Sequence, residues 1–153
     1  MNSTKIPAKD LSSEPPRSPR QLIAGYAILA RCLDKGRAEL NNTSGEYHFA
    51  CPLDQMFLTF KGVSAEDIQK LLREGASDEA VADWLSTNGN NVTRKEIDAW
   101  SAKMADMRPS ENEDAEKRTW FADECARLGL DPEETTLFDY LEEDDRRLAL
   151  QTA

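Results

Sequence analysis

Apolar residues along this chain recur at spacings of three and four between short polar or glycine-containing breaks, a pattern that predicts helices from residue 18 onward. Ser18 followed by Pro19, with Gln21 three positions after Ser18, combines a capping hydroxyl, a proline suited to the first helical turn and a reciprocal cap. From that start Leu22, Tyr26, Leu29 and Leu33 fall at spacings of 4, 3 and 4, and Ile23, Ala30 and Cys32 widen the apolar arc to nearly half the circumference. The predicted first helix is therefore long and central. Gly25, Cys32 and Gly36 lie on one flank of its buried side, where small residues let a neighbour approach the backbone closely.

Residues 41–45 read as a loop, and residues 46–51 are the one stretch whose pattern passes for a short strand. Pro52 opens a helix with Leu53, Met56, Phe57 and Phe60 inward, closed by Gly62. Ser64 with Asp67, Ser77, and Thr93 with Glu96 start three more, carrying Ile68 and Leu72, Val81 and Leu85, and Ile97, Trp100 and Met104. Pro109 breaks the run. A helix after Ser110 carries Trp120, Phe121, Cys125 and Leu128, and Asp131 with Pro132 opens a last one bearing Leu137, Phe138, Tyr140 and Leu141. The expected fold is all-α, a compact orthogonal bundle of six or seven short helices around the long first helix. Residues 1–17, with Pro7, Pro15 and Pro16, are expected to form a flexible segment ahead of a single helical domain over 18–153.

Composition adds a compartment and excludes some partners. No apolar run approaches the roughly 20 residues that cross a bilayer, and the first residues lack the pattern of a signal peptide, so no membrane partner is expected. The three cysteines, Cys32, Cys51 and Cys125, are odd in number and scattered, which fits a reducing, cytoplasmic compartment rather than a disulfide framework. The net charge of −10 is uneven: residues 1–38 carry seven basic and three acidic side chains, whereas residues 106–153 carry six basic and fifteen acidic ones. Such a surface repels nucleic acid over most of its extent. The run Glu142 to Asp145, followed by Arg146 and Arg147, reads as a solvated helix with internal charge pairs, and Trp84, Trp100 and Trp120 read as core residues, with an exposed aromatic patch as the alternative.

Glycine-rich phosphate loops, paired Cys-x-x-Cys, His-Glu-x-x-His and Gly-x-Ser-x-Gly are all missing, so no cofactor is implied. The densest set of reactive side chains is Arg31, Asp34, Lys35 and Arg37, followed after the loop by Glu46, Tyr47, His48, Cys51 and Asp54. On the wheel of the predicted helix Arg37 lies toward the apolar arc, while Arg31 and Lys35 point to the opposite side. An inward arginine needs an acidic partner, which Asp34, Glu46 or Asp54 would supply as a buried ion pair; the functional alternative is a pocket in which Arg37 forks onto an anionic ligand. His48, the sole histidine, sits three residues before Cys51, near a proline-opened helix start that would favour a thiolate. That spacing makes His48, Cys51 and Asp54 candidates for a thiol or acid/base enzyme, against a structural role. His48 and Cys51 supply only two of the four ligands zinc needs, so no metal is expected.

Pro15-Pro16-Arg17-Ser18-Pro19-Arg20, Gly25-Tyr26, Leu29-Ala30-Arg31, Asp34-Lys35, Arg37-Ala38, Gly45-Glu46-Tyr47-His48 and Cys51-Pro52-Leu53-Asp54 together resemble a bacterial domain-of-unknown-function family, the one numbered five thousand and sixty-nine. The resemblance runs from about Asp10 to the Thr136-Leu137-Phe138-Asp139 segment. It implies a small single-domain cytosolic protein without an assigned activity. Three functions follow from the residues: a module binding a small anionic ligand between the end of the first helix and the Gly45 to Asp54 segment; a thiol or acid/base enzyme; or a pocketless factor using its acidic helices on a protein partner.

Overall fold

The computed structural model describes residues 7–152. Its helices are α1 (Leu29–Leu40), α2 (Pro52–Lys61), α3 (Ala65–Arg73), α4 (Asp78–Thr87), α5 (Arg94–Ala105), α6 (Ala115–Leu128) and α7 (Leu137–Thr152), with one 3-10 turn at Pro109–Glu111. The class is all-α, as the apolar spacing predicts, and the described residues contain no strand. Residues 46–51, which pass for a strand in sequence, form turns, with Ala50 at φ 61°. Residues 1–6 of the expected flexible segment lie outside the described part. Within the remainder Leu11 is buried and its N–H donates to the Thr43 carbonyl (2.8 Å).

The long first helix is not formed. α1 spans 12 residues and begins at Leu29, not after Ser18. Between them the chain makes a tight turn in which the Ile23 and Tyr26 backbones bond to each other across Ala24 (φ 52°) and Gly25 (φ 88°). The α5 hydroxyl of Ser101 holds this turn: it donates to the Gly25 carbonyl (2.6 Å) and accepts from the Ala27 N–H (2.9 Å). Ser18 satisfies the N–H of Arg20 in a turn and donates to Glu142 of α7, so its capping chemistry serves a loop. Leu22, counted in the helical arc, is 53% exposed.

The other helix starts follow their caps. Ser64 and Asp67, and Thr93 and Glu96, form reciprocal capping boxes, Pro52 occupies the first turn of α2, and Gly62 and Gly129 end their helices in the left-handed conformation. Two later starts are displaced. α6 is capped by Asp114 instead of opening after Ser110, because Pro109–Glu111 first makes a 3-10 turn. Asp131 closes a turn onto the Glu133 N–H, and α7 begins instead where Thr136 and Asp139 cap each other.

α1 lies at the centre, with Leu29 through Gly36 all buried. Tyr26, Leu29, Leu33, Phe57, Ile68, Leu72, Val81, Leu85 and Phe138 surround or belong to this core. A smaller cluster of Phe121, Cys125, Leu128 and Tyr140 joins α6 to α7. Gly36 is the point where α3 closes on α1: a Cβ there would come within 2.6 Å of a Leu72 methyl and 3.2 Å of the Phe49 ring. Gly36→Ala is therefore expected to cost about 1–3 kcal/mol despite alanine's higher helix propensity, read as a lower urea midpoint at unchanged slope.

Candidate functional site

α1 is buried over most of its length, so its polar residues must carry their partners with them. Each reaches a different element. Arg31, 4% exposed, makes two bonds to Asp145 of α7 (2.7 and 3.0 Å), and its guanidinium lies over the Tyr47 ring, whose hydroxyl donates to the same carboxylate (2.9 Å). Burial and the Asp145 charge push the Tyr47 phenol well above its ordinary range. Asp34 accepts from the Arg17 backbone (2.8 Å) and guanidinium (3.1 Å). Arg17 continues to Asp78 of α4 (2.8 Å), which also pairs with Arg37 (2.9 Å). Against the desolvation of its site, the two guanidiniums hold Asp78 below the usual carboxylate range.

The wheel of the predicted helix thus misassigns the cations. Arg31 and Lys35, expected outward, are the most enclosed, whereas Arg37 meets Asp78 and the Ala76 carbonyl (3.2 Å) near the surface. α1 is buried all round from Leu29 to Gly36, so the side opposite the apolar arc, which Arg31 and Lys35 occupy, is covered as well. Asp34, Glu46 and Asp54, the carboxylates expected to face Arg37, are not its partners; Glu46 is exposed beside a hollow of about 150 Å³ that Tyr47 and Leu11 also line. Asp145, which the sequence pattern places in a solvated run, is instead the buried partner of Arg31. A signal for this exists in the sequence: Phe138, Leu141 and Asp145 are spaced at 3 and 4, so Asp145 shares the buried face of α7.

His48 and Cys51 are not brought together. His48 is exposed and has no polar partner among the described residues. Cys51 is half-buried at the N-cap of α2, and its partner is Lys35, whose Nζ donates to Sγ (3.1 Å) and to Asp54 Oδ2 (3.0 Å). Asp54 is fully enclosed. Its Oδ2 also accepts the Ala50 N–H (2.9 Å), while Oδ1 is buried without a hydrogen-bond partner. Desolvation raises this carboxyl above its ordinary range in spite of Lys35. Among the described residues no three His, Cys, Asp or Glu side chains gather as a metal site.

On the other side of Cys51 the surface opens into a groove of about 860 Å³. α2 supplies Pro52, Leu53 and Met56; α5 and the segment after it supply Lys103, Met107 and Arg108; α6 supplies Lys117 and Trp120; α7 supplies Leu137 and Leu141. Trp120 is 51% exposed and packs edge-on against Tyr140 at 5.6 Å, so its indole is held in place without being covered. Lys103 and Lys117 are exposed and unpaired, and Arg108 donates to the Glu133 carbonyl (3.2 Å). Asp106 and Glu111 lie on the same rim. A concave apolar floor with a few polar groups and a size of several hundred Å³ is the usual form of a small-molecule site. Sequence patterns miss it because four elements contribute. Trp120 holds the one clue, since it lies about 100° round α6 from the buried row of Phe121, Cys125 and Leu128.

No helix of the described residues is long and apolar enough to cross a membrane. No curated protein matches the sequence. Residues 13–147, most of the chain, match the family described as Domain of unknown function (DUF5069), and the protein belongs to that family.

Proposed function

We propose that this protein is a cytoplasmic binding module whose groove between α2, α5, α6 and α7 takes a small amphipathic anion. The observation that carries this reading is the pairing of an open apolar floor, formed by Met56, Met107, Trp120, Leu137 and Leu141, with two uncommitted ammonium groups at its rim, Lys103 and Lys117. An apolar body would lie across Trp120 and the methionines, whose flexible thioethers adapt to varied shapes, and the anionic end would meet the two lysines. Arg31, Asp34 and Arg37 of α1 serve the fold instead. Arg31, Asp34, Lys35 and Arg37 each tie the central helix to another part of the chain. The unpaired cysteines support the cytoplasmic assignment.

The test is a fluorescence titration of the native chain with 8-anilinonaphthalene-1-sulfonate, an amphipathic anion of suitable size. The expected result is saturable binding of one dye per chain, weakened about tenfold in Trp120→Ala, whose removed indole contributes stacking area worth about 1–2 kcal/mol. Weak, unsaturable dye binding that Trp120→Ala leaves unchanged would remove the groove as a ligand site.

A further inference from the structure

The Lys35, Cys51 and Asp54 cluster meets the groove at Cys51 and is not used by non-covalent binding. Cys51 differs from the other two thiols. Cys32 and Cys125 are enclosed, and burial raises both, Cys32 far above the ordinary thiol range with the Asp54 charge adding to it. Cys51 reaches the groove wall while its sulfur accepts a hydrogen bond from a buried ammonium. Lys35 is 3% exposed, so water screens its charge poorly, and the two atoms that it touches, Cys51 Sγ and Asp54 Oδ2, feel it most strongly. The second independent feature is the unpartnered Oδ1 of Asp54, which leaves one oxygen of that buried carboxylate uncompensated.

We infer that Cys51 is a nucleophilic thiol that exchanges with small disulfides bearing carboxylates, leaving a mixed disulfide whose added half lies in the groove. The placement of that half rests on the groove reading above; the reactivity of the sulfur rests on the cluster alone. The Cys51 thiol gives its proton to Lys35 as Lys35 passes one to Asp54, so the buried cluster keeps its net charge while a thiolate forms against an ammonium. Burial has already raised the Asp54 carboxyl toward the protonated form. The thiolate attacks one sulfur of R–S–S–R; the Cys51–S bond forms as the original S–S bond breaks, and the departing R–S⁻ recovers the proton from Asp54 through Lys35 or water. Cys51 is oxidised to the disulfide level and one R sulfur is reduced to a thiol. Lysines 103 and 117 favour an R group that is anionic.

The experiment incubates the full chain with oxidised glutathione at neutral pH and follows each cysteine by peptide mass spectrometry, with cystamine as a cationic counterpart. The expected result is one adduct, on Cys51, formed about tenfold faster with oxidised glutathione than with cystamine, and about tenfold slower in Lys35→Met. Because Lys35→Met leaves a buried carboxylate unpaired, Lys35→Met/Asp54→Asn is measured beside it, its folding checked by circular dichroism, and it is expected to be equally slow. Labelling of Cys51 only after unfolding, or an unchanged rate in both Lys35 variants, would overturn the inference. Fast labelling of Cys51 at equal rates by both disulfides would support the activated thiol and overturn the groove as its anion site. Saturable dye binding with an inert Cys51 would do the reverse.

Discussion

Replacing Asp145 by Ala should destabilise the domain by about 3–5 kcal/mol, measured as a lower urea midpoint, with helix content retained below the transition. Asp145 is 6% exposed and is the only carboxylate that Arg31 touches among the described residues, so its removal leaves a guanidinium 4% exposed with no counter-charge and the Tyr47 hydroxyl without its acceptor. Water reaches the enclosed guanidinium poorly and so does not compensate for the lost carboxylate. The same-sized loss is expected in Arg31→Met, which strands the carboxylate. The double variant Arg31→Met/Asp145→Leu should regain more than half of the loss, since no buried charge remains unpaired. A full additive loss in the double variant would mean that the two side chains stabilise the fold through separate contacts. The pair joins the first and last helices, 114 residues apart in sequence, so the measurement reports on how the two ends of the domain are held together.

Reversing the charge of the groove rim should change which ligands it holds. Lys103→Glu/Lys117→Glu replaces two ammonium groups by two carboxylates beside Asp106 and Glu111, turning the rim strongly acidic. Each exposed charge is screened by solvent, so each reversal is worth about 1 kcal/mol, and the pair should weaken binding of 8-anilinonaphthalene-1-sulfonate by about tenfold to thirtyfold at low salt. Raising the salt concentration should narrow the difference between variant and native chain. An amphipathic cation of similar shape should gain affinity over the same substitutions. The fold should be untouched, because neither lysine contacts a charged partner in the native protein. Equal dye affinity in the variant would show that the rim does not read charge.

The fold is legible in the sequence where local chemistry and tertiary packing agree. Pro52 to Gly62, the Ser64 and Thr93 capping boxes and Gly129 end or begin helices in sequence and in structure alike, because each motif satisfies backbone groups within its own few residues. Ser18-Pro19 carries equally good capping chemistry, yet it serves a turn. The deciding contact, Ser101 on the Gly25 turn, comes from 76 residues away and has no local signature. That one turn shortens the first helix, and the reading of Arg31 and Lys35 fails for a second reason, that α1 is covered on every side. The chemistry-bearing residues do form a neighbourhood, as their spacing suggests, since α1 and the 46–54 stretch meet through Lys35, Cys51, Asp54, Arg31 and Tyr47. Their partners are not legible: Asp145 and Asp78 enter from distant helices, and the groove is assembled from α2, α5, α6 and α7. Periodicity identifies the face a residue occupies, not the element that faces it.

The most direct measurement is an amide NMR spectrum of the native protein titrated with 8-anilinonaphthalene-1-sulfonate. Binding in the groove predicts progressive shifts confined to the backbone of Met56, Lys103, Met107, Lys117 and Leu141 and to the Trp120 indole N–H, with Arg37, Glu46 and Tyr47 unmoved. Shifts centred on Arg37, Glu46 and Tyr47, or no saturable shifts anywhere, would contradict it.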